Sequence, residues 1–293
     1  MAYHPGERAV QERLGQAHIA QRVGRMIRPD IPYPFAEFLA QQPMIVVAAA
    51  DDAGRMWASQ LTGPPGFTAA EDERTILVNA VPVPGDPLAE ALHTPRRLGM
   101  IALQPQTRRR MRANGRSEPA PHGLRITTDQ VYGNCPKYIS RRDIEQWSPT
   151  AATTVRRAAE LNSVQWLAST LADTFFIASA DADGNTDASH RGGNPGFLQV
   201  LSPTHLRWPD YRGNSMFMTL GNLAADPRCG LLIPDWRLGS TLQLTGTAEI
   251  TWDEDACTTG AQCAIDFTVH EVVEISGATP LRWSEPELSP ANP

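Results

Sequence analysis

Two basic, glycine-bearing segments carry the clearest chemical signal in the chain. His190-Arg191-Gly192-Gly193 follows an Ala-Ser strand segment, and Asp210-Tyr211-Arg212-Gly213-Asn214-Ser215 precedes a helix predicted to begin near Ser215. A helix start offers unpaired N–H groups and a favourable dipole to an anion. Arginine adds a fixed, bidentate positive charge, and glycine lets a ligand approach the backbone. Together they fit a phosphate cradle, although an N-cap followed by a tight turn would use the same residues.

A second basic cluster is Arg108-Arg109-Arg110-Met111-Arg112. On a strand, alternation puts Arg108, Arg110 and Arg112 on one face, with Arg109 and Met111 on the other. Such a face is either solvated or relieved of its mutual repulsion by an anion. In Gly133-Asn134-Cys135-Pro136-Lys137-Tyr138, Lys137 and Tyr138 stand beside a turn, where they could orient a flat ring or simply pin the loop. Trp57, Trp208, Trp236 and Trp283 could stack on such a ring, or fill the core. The chain has no Gly-x-Gly-x-x-Gly following a strand, no Walker-type loop and no His-Glu-x-x-His. Cys257 and Cys263 have neither a second cysteine pair nor a histidine cluster beside them, so no zinc site is expected.

The elements that must position these residues come in two copies. Residues 48–67 and 178–197 align without gaps, 130 positions apart, with ten of twenty residues identical. Average composition gives about one match by chance. In each copy a strand (Met44–Ala50; Thr174–Ala180) enters an Asp/Gly turn. A second strand carrying Ala-Ser follows, then a Gly-x-Pro-Gly-Phe bend and a third strand (Thr75–Ala80; His205–Trp208). A helix (Pro87–His93; Ser215–Ala225) and two more strands complete the copy. Short strands with Gly and Pro turns predict a mainly β protein, a β-barrel with helices. The copies differ at the cradle: Leu61-Thr62-Gly63 replaces Arg191-Gly192-Gly193, and Asp86 replaces Asn214. An aspartate would repel a phosphate, so one anion site is expected, in the second copy.

The organisation read from the sequence is an N-terminal helix and hinge (1–34), a first barrel half (35–142) and a helical connector (143–164, its helical pattern running from about 150 to 171). A second half carrying the main motifs (165–275) and a proline-rich tail (276–293) laid over the surface complete it. Two such halves would form an internal pseudo-dimer, as a monomer or paired again as a homodimer. A net charge of −6 argues against a nucleic-acid partner. No apolar run reaches the roughly 20 residues of a membrane span, so a cytoplasmic protein without a membrane partner is expected.

Asp187 to Phe197 (Asp-x-Ser-x-Arg-Gly-Gly-x-Pro-Gly-Phe) resembles the flavin-nucleotide-binding branch of the pyridoxamine 5′-phosphate oxidase-like family. The likeness extends to Pro209–Leu223, Thr107–Gly115 and Gly133–Ile139, and so to most of the chain. The resemblance implies two tandem FMN-binding split β-barrel halves with the cofactor at their interface. By motif position it points to Arg191, Gly192, Asn214, Ser215 and Thr219, with Arg108, Arg110, Lys137 and Tyr138 from the other half. It implies a flavoprotein oxidoreductase passing a hydride or electrons through flavin N5 to a small-molecule substrate or redox partner. A non-catalytic flavin carrier or sensor, or a barrel holding haem or a deazaflavin, is the alternative. The resemblance to authentic pyridoxamine 5′-phosphate oxidases, which are single-copy homodimers with a basic C-terminal substrate motif, is weaker. Arg282-Trp283 lies in a different, proline-rich setting, so the vitamin substrate is not expected here.

Overall fold

The computed structural model describes residues 3–148, 153–253 and 258–293. Helices α1 (Pro5–Arg13) and α2 (Ala17–Val23) open the chain, parted at Gly15, whose φ of 64° ends the first. Helix α3 (Tyr33–Ala40) leads into the first sheet: β1 (Met44–Ala50), β2 (Met56–Thr62), β3 (Thr68–Ala70), β4 (Thr75–Val78), β5 (Arg96–Gln104), β6 (Arg109–Ala120) and β7 (Gly123–Gly133). Strands β8 (Ile144–Trp147) and β9 (Thr154–Ala158) and helix α4 (Ser163–Leu171) join it to the second: β10 (Thr174–Ala180), β11 (Thr186–Gly192), β12 (Gln199–Ser202), β13 (His205–Tyr211), helix α5 (Met218–Ala225), β14 (Arg228–Asp235), β15 (Ser240–Thr251) and β16 (Ala261–Ser276). A last strand, β17 (Leu281–Trp283), pairs with β8.

The two sheets share one topology. Their antiparallel orders are β2-β1-β5-β6-β7-β4-β3 and β11-β10-β14-β15-β16-β13-β12, with β9 added beside β16. The repeated sequence makes the same local bonds in each. Asp51 Oδ1 accepts the N–H groups of Ala53 and Arg55, and Asp181 Oδ1 those of Asp183 and Asn185. Gly54 and Gly184 close these turns at φ 76° and 78°, a conformation that excludes most side chains. Gly66 and Gly196 donate to Ala40 and Thr170 at the Pro-Gly-Phe bends. The protein is thus a mainly β molecule of two split-barrel halves forming an internal pseudo-dimer.

Each half has its own apolar core, and a third cluster seals the seam, joining Met44, Val46 and Ile101 to Phe176, Ala178 and Leu232. The seam needs glycine at two equivalent points. A Cβ on Gly99 would lie 2.5 Å from the Ala188 nitrogen, and one on Gly230 would strike the Met56 carbonyl.

Several expectations fail for local reasons. The helix predicted over Pro87–His93 is only a 3₁₀ turn, Ala91–His93, preceded by turns in which Asp86 accepts the Leu88 N–H. Helix α5 starts at Met218, not Ser215, since Ser215 and Phe217 adopt left-handed φ angles of 62° and 60°. The predicted helix over about 150–171 begins only at Ser163, with Asn162 capping Val164 and Gln165. Ahead of it the β-branched Thr154-Val155 joins the edge of β16, and Ile144–Trp147 pairs with the tail, so the described part of 143–162 carries strands and no helix. The tail is not merely draped on the surface. Leu281 and Trp283 are buried, and Trp283 meets Trp236 edge-to-face at 5.4 Å.

Candidate functional site

At the seam, β6 of the first half faces β11 and the 210–219 segment of the second, and a cleft opens between them. Arg110 and Tyr138 line it from one side; Arg191, Gly192, Asn214, Ser215 and Thr219 line it from the other. The strand pleat decides which arginines arrive. Arg110 and Arg112 are directed into the seam, whereas Arg109 lies over the Phe38 ring and Met111 enters the first core.

Of the nine residues read from the sequence, Arg108 and Lys137 do not line the cleft. Arg108 precedes the strand at φ 53°, and its guanidinium donates to the Ile139 carbonyl and pairs with Glu287. Lys137 is exposed. Tyr138, at φ 66°, donates its hydroxyl to the Arg212 carbonyl and packs on Tyr211. None of the four tryptophans lines the cleft: Trp57 and Trp208 are core residues, and Trp236 and Trp283 pack on each other.

The 213–217 loop is held from behind by the N-terminal helices. Asn214 Oδ1 accepts the Met216 N–H, Ser215 Oγ donates to Gln16 Oε1 at 2.6 Å, and Gln11 Nε2 donates to the Met216 carbonyl. Gln11 and Gln16 carry no motif, and only their contact across some 200 residues reveals them. On β11, a side chain at Gly192 would collide with the Tyr138 carbonyl, so glycine lets the backbone at Tyr138 close against this strand beside the cleft.

The electrostatics are asymmetric. Arg112 is ion-paired with Asp187, Arg142 with Asp173, and Arg191 with Asp210 at 3.2 Å. Arg110 pairs with no carboxylate among the described residues. It donates to His190 Nδ1 at 2.8 Å and to the Cys135 carbonyl at 2.9 Å. Burial lowers its pKa to about 10, with the like charges of Arg112 and Arg191 acting in the same direction. It nevertheless remains a cation. Arg110 Nε, Arg191 Nε, His190 Nε2 and Gln262 Nε2 are buried without a hydrogen-bond partner among the described residues. One uncompensated charge and a surplus of N–H donors around one cleft fit an anionic, oxygen-rich group such as a phosphate.

The pseudo-symmetric position is closed. Gln243, the counterpart of Arg112, reaches across the seam to the Ala58 carbonyl, Ser59 and Asp86. Asp86 also accepts from Ser59 and from the Leu88 N–H, and burial raises its carboxyl to about 6. A buried carboxylate stands where the second half has an amide.

Among the described residues no group of three His, Cys, Asp or Glu is placed to hold a metal ion. Cys263 is buried, and Cys257 lies outside the described residues. No helix among the described residues is long and apolar enough to cross a membrane.

The fold is a split-barrel pseudo-dimer with this basic, polar cleft at its seam. A sequence profile of the pyridoxamine 5′-phosphate oxidase family matches residues 167–267, most of the second half. Among solved structures, a proposed pyridoxamine 5′-phosphate oxidase from Lactobacillus delbrueckii is 20% identical, covering 39% of this chain and 94% of its own, with a TM-score of 0.33. A FAD-binding protein from Mesorhizobium loti is 14% identical over 42% of this chain and 98% of its own (TM-score 0.29). The FAD-binding protein from Mycobacterium smegmatis is 12% identical over the same shares, 42% and 98% (TM-score 0.29). No curated protein matches the chain.

Proposed function

We propose that the chain is an FMN-binding oxidoreductase that holds one FMN at this cleft, with the phosphate between Arg110 and Arg191. The observation that carries this reading is the buried Arg110, whose charge no carboxylate among the described residues balances. Arg191 would add a second guanidinium, Gly192 the close approach of the Tyr138 backbone, and Asn214, Ser215 and Thr219 the polar lining of the loop and helix start. Tyr138, which closes the cleft beside Tyr211, is the aromatic candidate for the flat ring. When bound, the flavin supplies hydride or electron transfer at N5, a chemistry that needs no nucleophile from the protein. The closed counterpart around Gln243 and Asp86 supports a single site per chain.

The test is FMN titration by fluorescence quenching, with riboflavin as the ligand lacking the phosphate. Losing a charged hydrogen bond costs about 1.5–3 kcal/mol, so Arg110→Met and Arg191→Ala should each weaken FMN roughly ten- to a hundredfold. Leu61→Ala, at the position aligned with Arg191, should change little. Stoichiometry near one FMN per chain is expected. Equal losses in Leu61→Ala and Arg191→Ala, or unchanged affinity in Arg110→Met, would refute the assignment.

A further inference from the structure

His190 is buried at the heart of the cleft, yet neither the charge balance nor the motif requires it. Its ring is set edge-to-face against Phe176 at 5.7 Å, and Gly192 leaves it room: a Cβ there would lie 2.9 Å from His190 Cε1. The 2.8 Å contact from Arg110 Nη1 to Nδ1 settles which nitrogen carries the proton. A guanidinium has donors only, so Nδ1 must accept. A ring with a lone pair on Nδ1 carries its hydrogen on Nε2. A doubly protonated ring would set N–H against N–H. Burial, together with the positive charges of Arg110, Arg191 and Arg142 that face the ring, holds the imidazole neutral well below its ordinary titration range. Nε2 has no acceptor among the described residues.

We propose that His190, fixed by Arg110 in its Nε2-protonated form, donates a hydrogen bond from Nε2 to the phosphate group of the ligand, as a positioning residue that contributes direction without charge. The identity of that ligand as FMN rests on the function proposed above; the tautomer does not. The arrangement separates two tasks. Arg110 and Arg191 supply the charge, and His190 supplies an N–H whose presence does not change with pH across the neutral range. An acceptor from the ligand relieves a buried donor that is otherwise unsatisfied.

Two measurements test it. Long-range ¹H–¹⁵N spectra of histidine-labelled protein without flavin should show His190 with protonated Nε2 and bare Nδ1, unchanged between about pH 6 and pH 8. An Nδ1-protonated ring, or one that charges in that range, overturns the proposal. For binding, His190→Gln keeps an acceptor for Arg110 and a donor for the ligand on one planar group. His190→Phe keeps neither, and His190→Glu accepts only. FMN should bind His190→Gln within about threefold of wild type and His190→Phe about tenfold or more weakly, with His190→Glu weaker still. Riboflavin should not distinguish Gln from Phe. Equal FMN affinity in Gln and Phe variants overturns the donor role. If the wild-type protein binds no FMN, the flavin reading falls by itself. Inorganic phosphate then decides the anion contact: a shift of the Nε2 resonance on titration sustains it, and none refutes it.

Discussion

Glu7 should make the protein lose stability as the pH rises, and Glu7→Gln should abolish that loss. Glu7 is the N3 residue of α1, where its carboxylate accepts the His4 N–H at 2.7 Å in a reciprocal cap. The helix lies against α5 so closely that a Cβ on Gly221 would fall 2.6 Å from Glu7 Cα, and Glu7 is only 3% exposed. Burial, foremost, raises its carboxyl from 4.5 to about 8; Asp187 and Asp181 add to the rise, while the His4 N–H and Arg112 oppose it. Between those values the folded chain holds a proton that the unfolded chain releases. Stability therefore falls with rising pH, by up to about 1.4 kcal/mol per pH unit and about 5 kcal/mol in all as an upper bound. Glutamine serves equally at N3 of a capping box and does not titrate. Urea unfolding, followed by tryptophan fluorescence from about pH 5 to about pH 9, should show Glu7→Gln gaining on wild type. The gain should be about 2 kcal/mol near pH 6 and larger still near pH 8. A difference that stays flat across that window, or a variant less stable than wild type at the alkaline end, would refute the reasoning.

Two further outcomes follow from the packing. Gly99→Ala forces a Cβ against the backbone of Ala188 and should cost about 1–3 kcal/mol by overpacking; Gly213→Ala, with nothing within 4 Å of its Cβ, should be near neutral in the same urea unfolding. Gln16→Ala strips the acceptor from the buried Ser215 hydroxyl and should weaken FMN several-fold as well as lower stability by about 1–2 kcal/mol; unchanged affinity would show that the N-terminal helices do not set the loop.

The sequence by itself determined what depends on short-range chemistry. Asp51 and Asp181 cap identical turns because the side chain reaches its own neighbours, and Gly54 and Gly184 take backbone angles that other residues resist. The runs Met44–Ala50 and Thr174–Ala180 are central strands because their residues suit burial on both faces. The repeat carried the shared topology, and motif position brought Arg191, Gly192, Asn214, Ser215 and Thr219 to one wall of one cleft. Tertiary structure decided the rest, because the deciding partners are far away in the chain. Arg108 and Arg110 differ by two positions in a basic run, but the left-handed turn at Arg108 sends one to Glu287 and leaves the other buried beside His190. Ser215 leaves the helix because Gln16 holds its hydroxyl, and Asp86 turns inward because Ser59 and Gln243 meet it there. The proton on His190 Nε2 is placed by a guanidinium 80 residues away, a choice that only the closed seam between the halves can make.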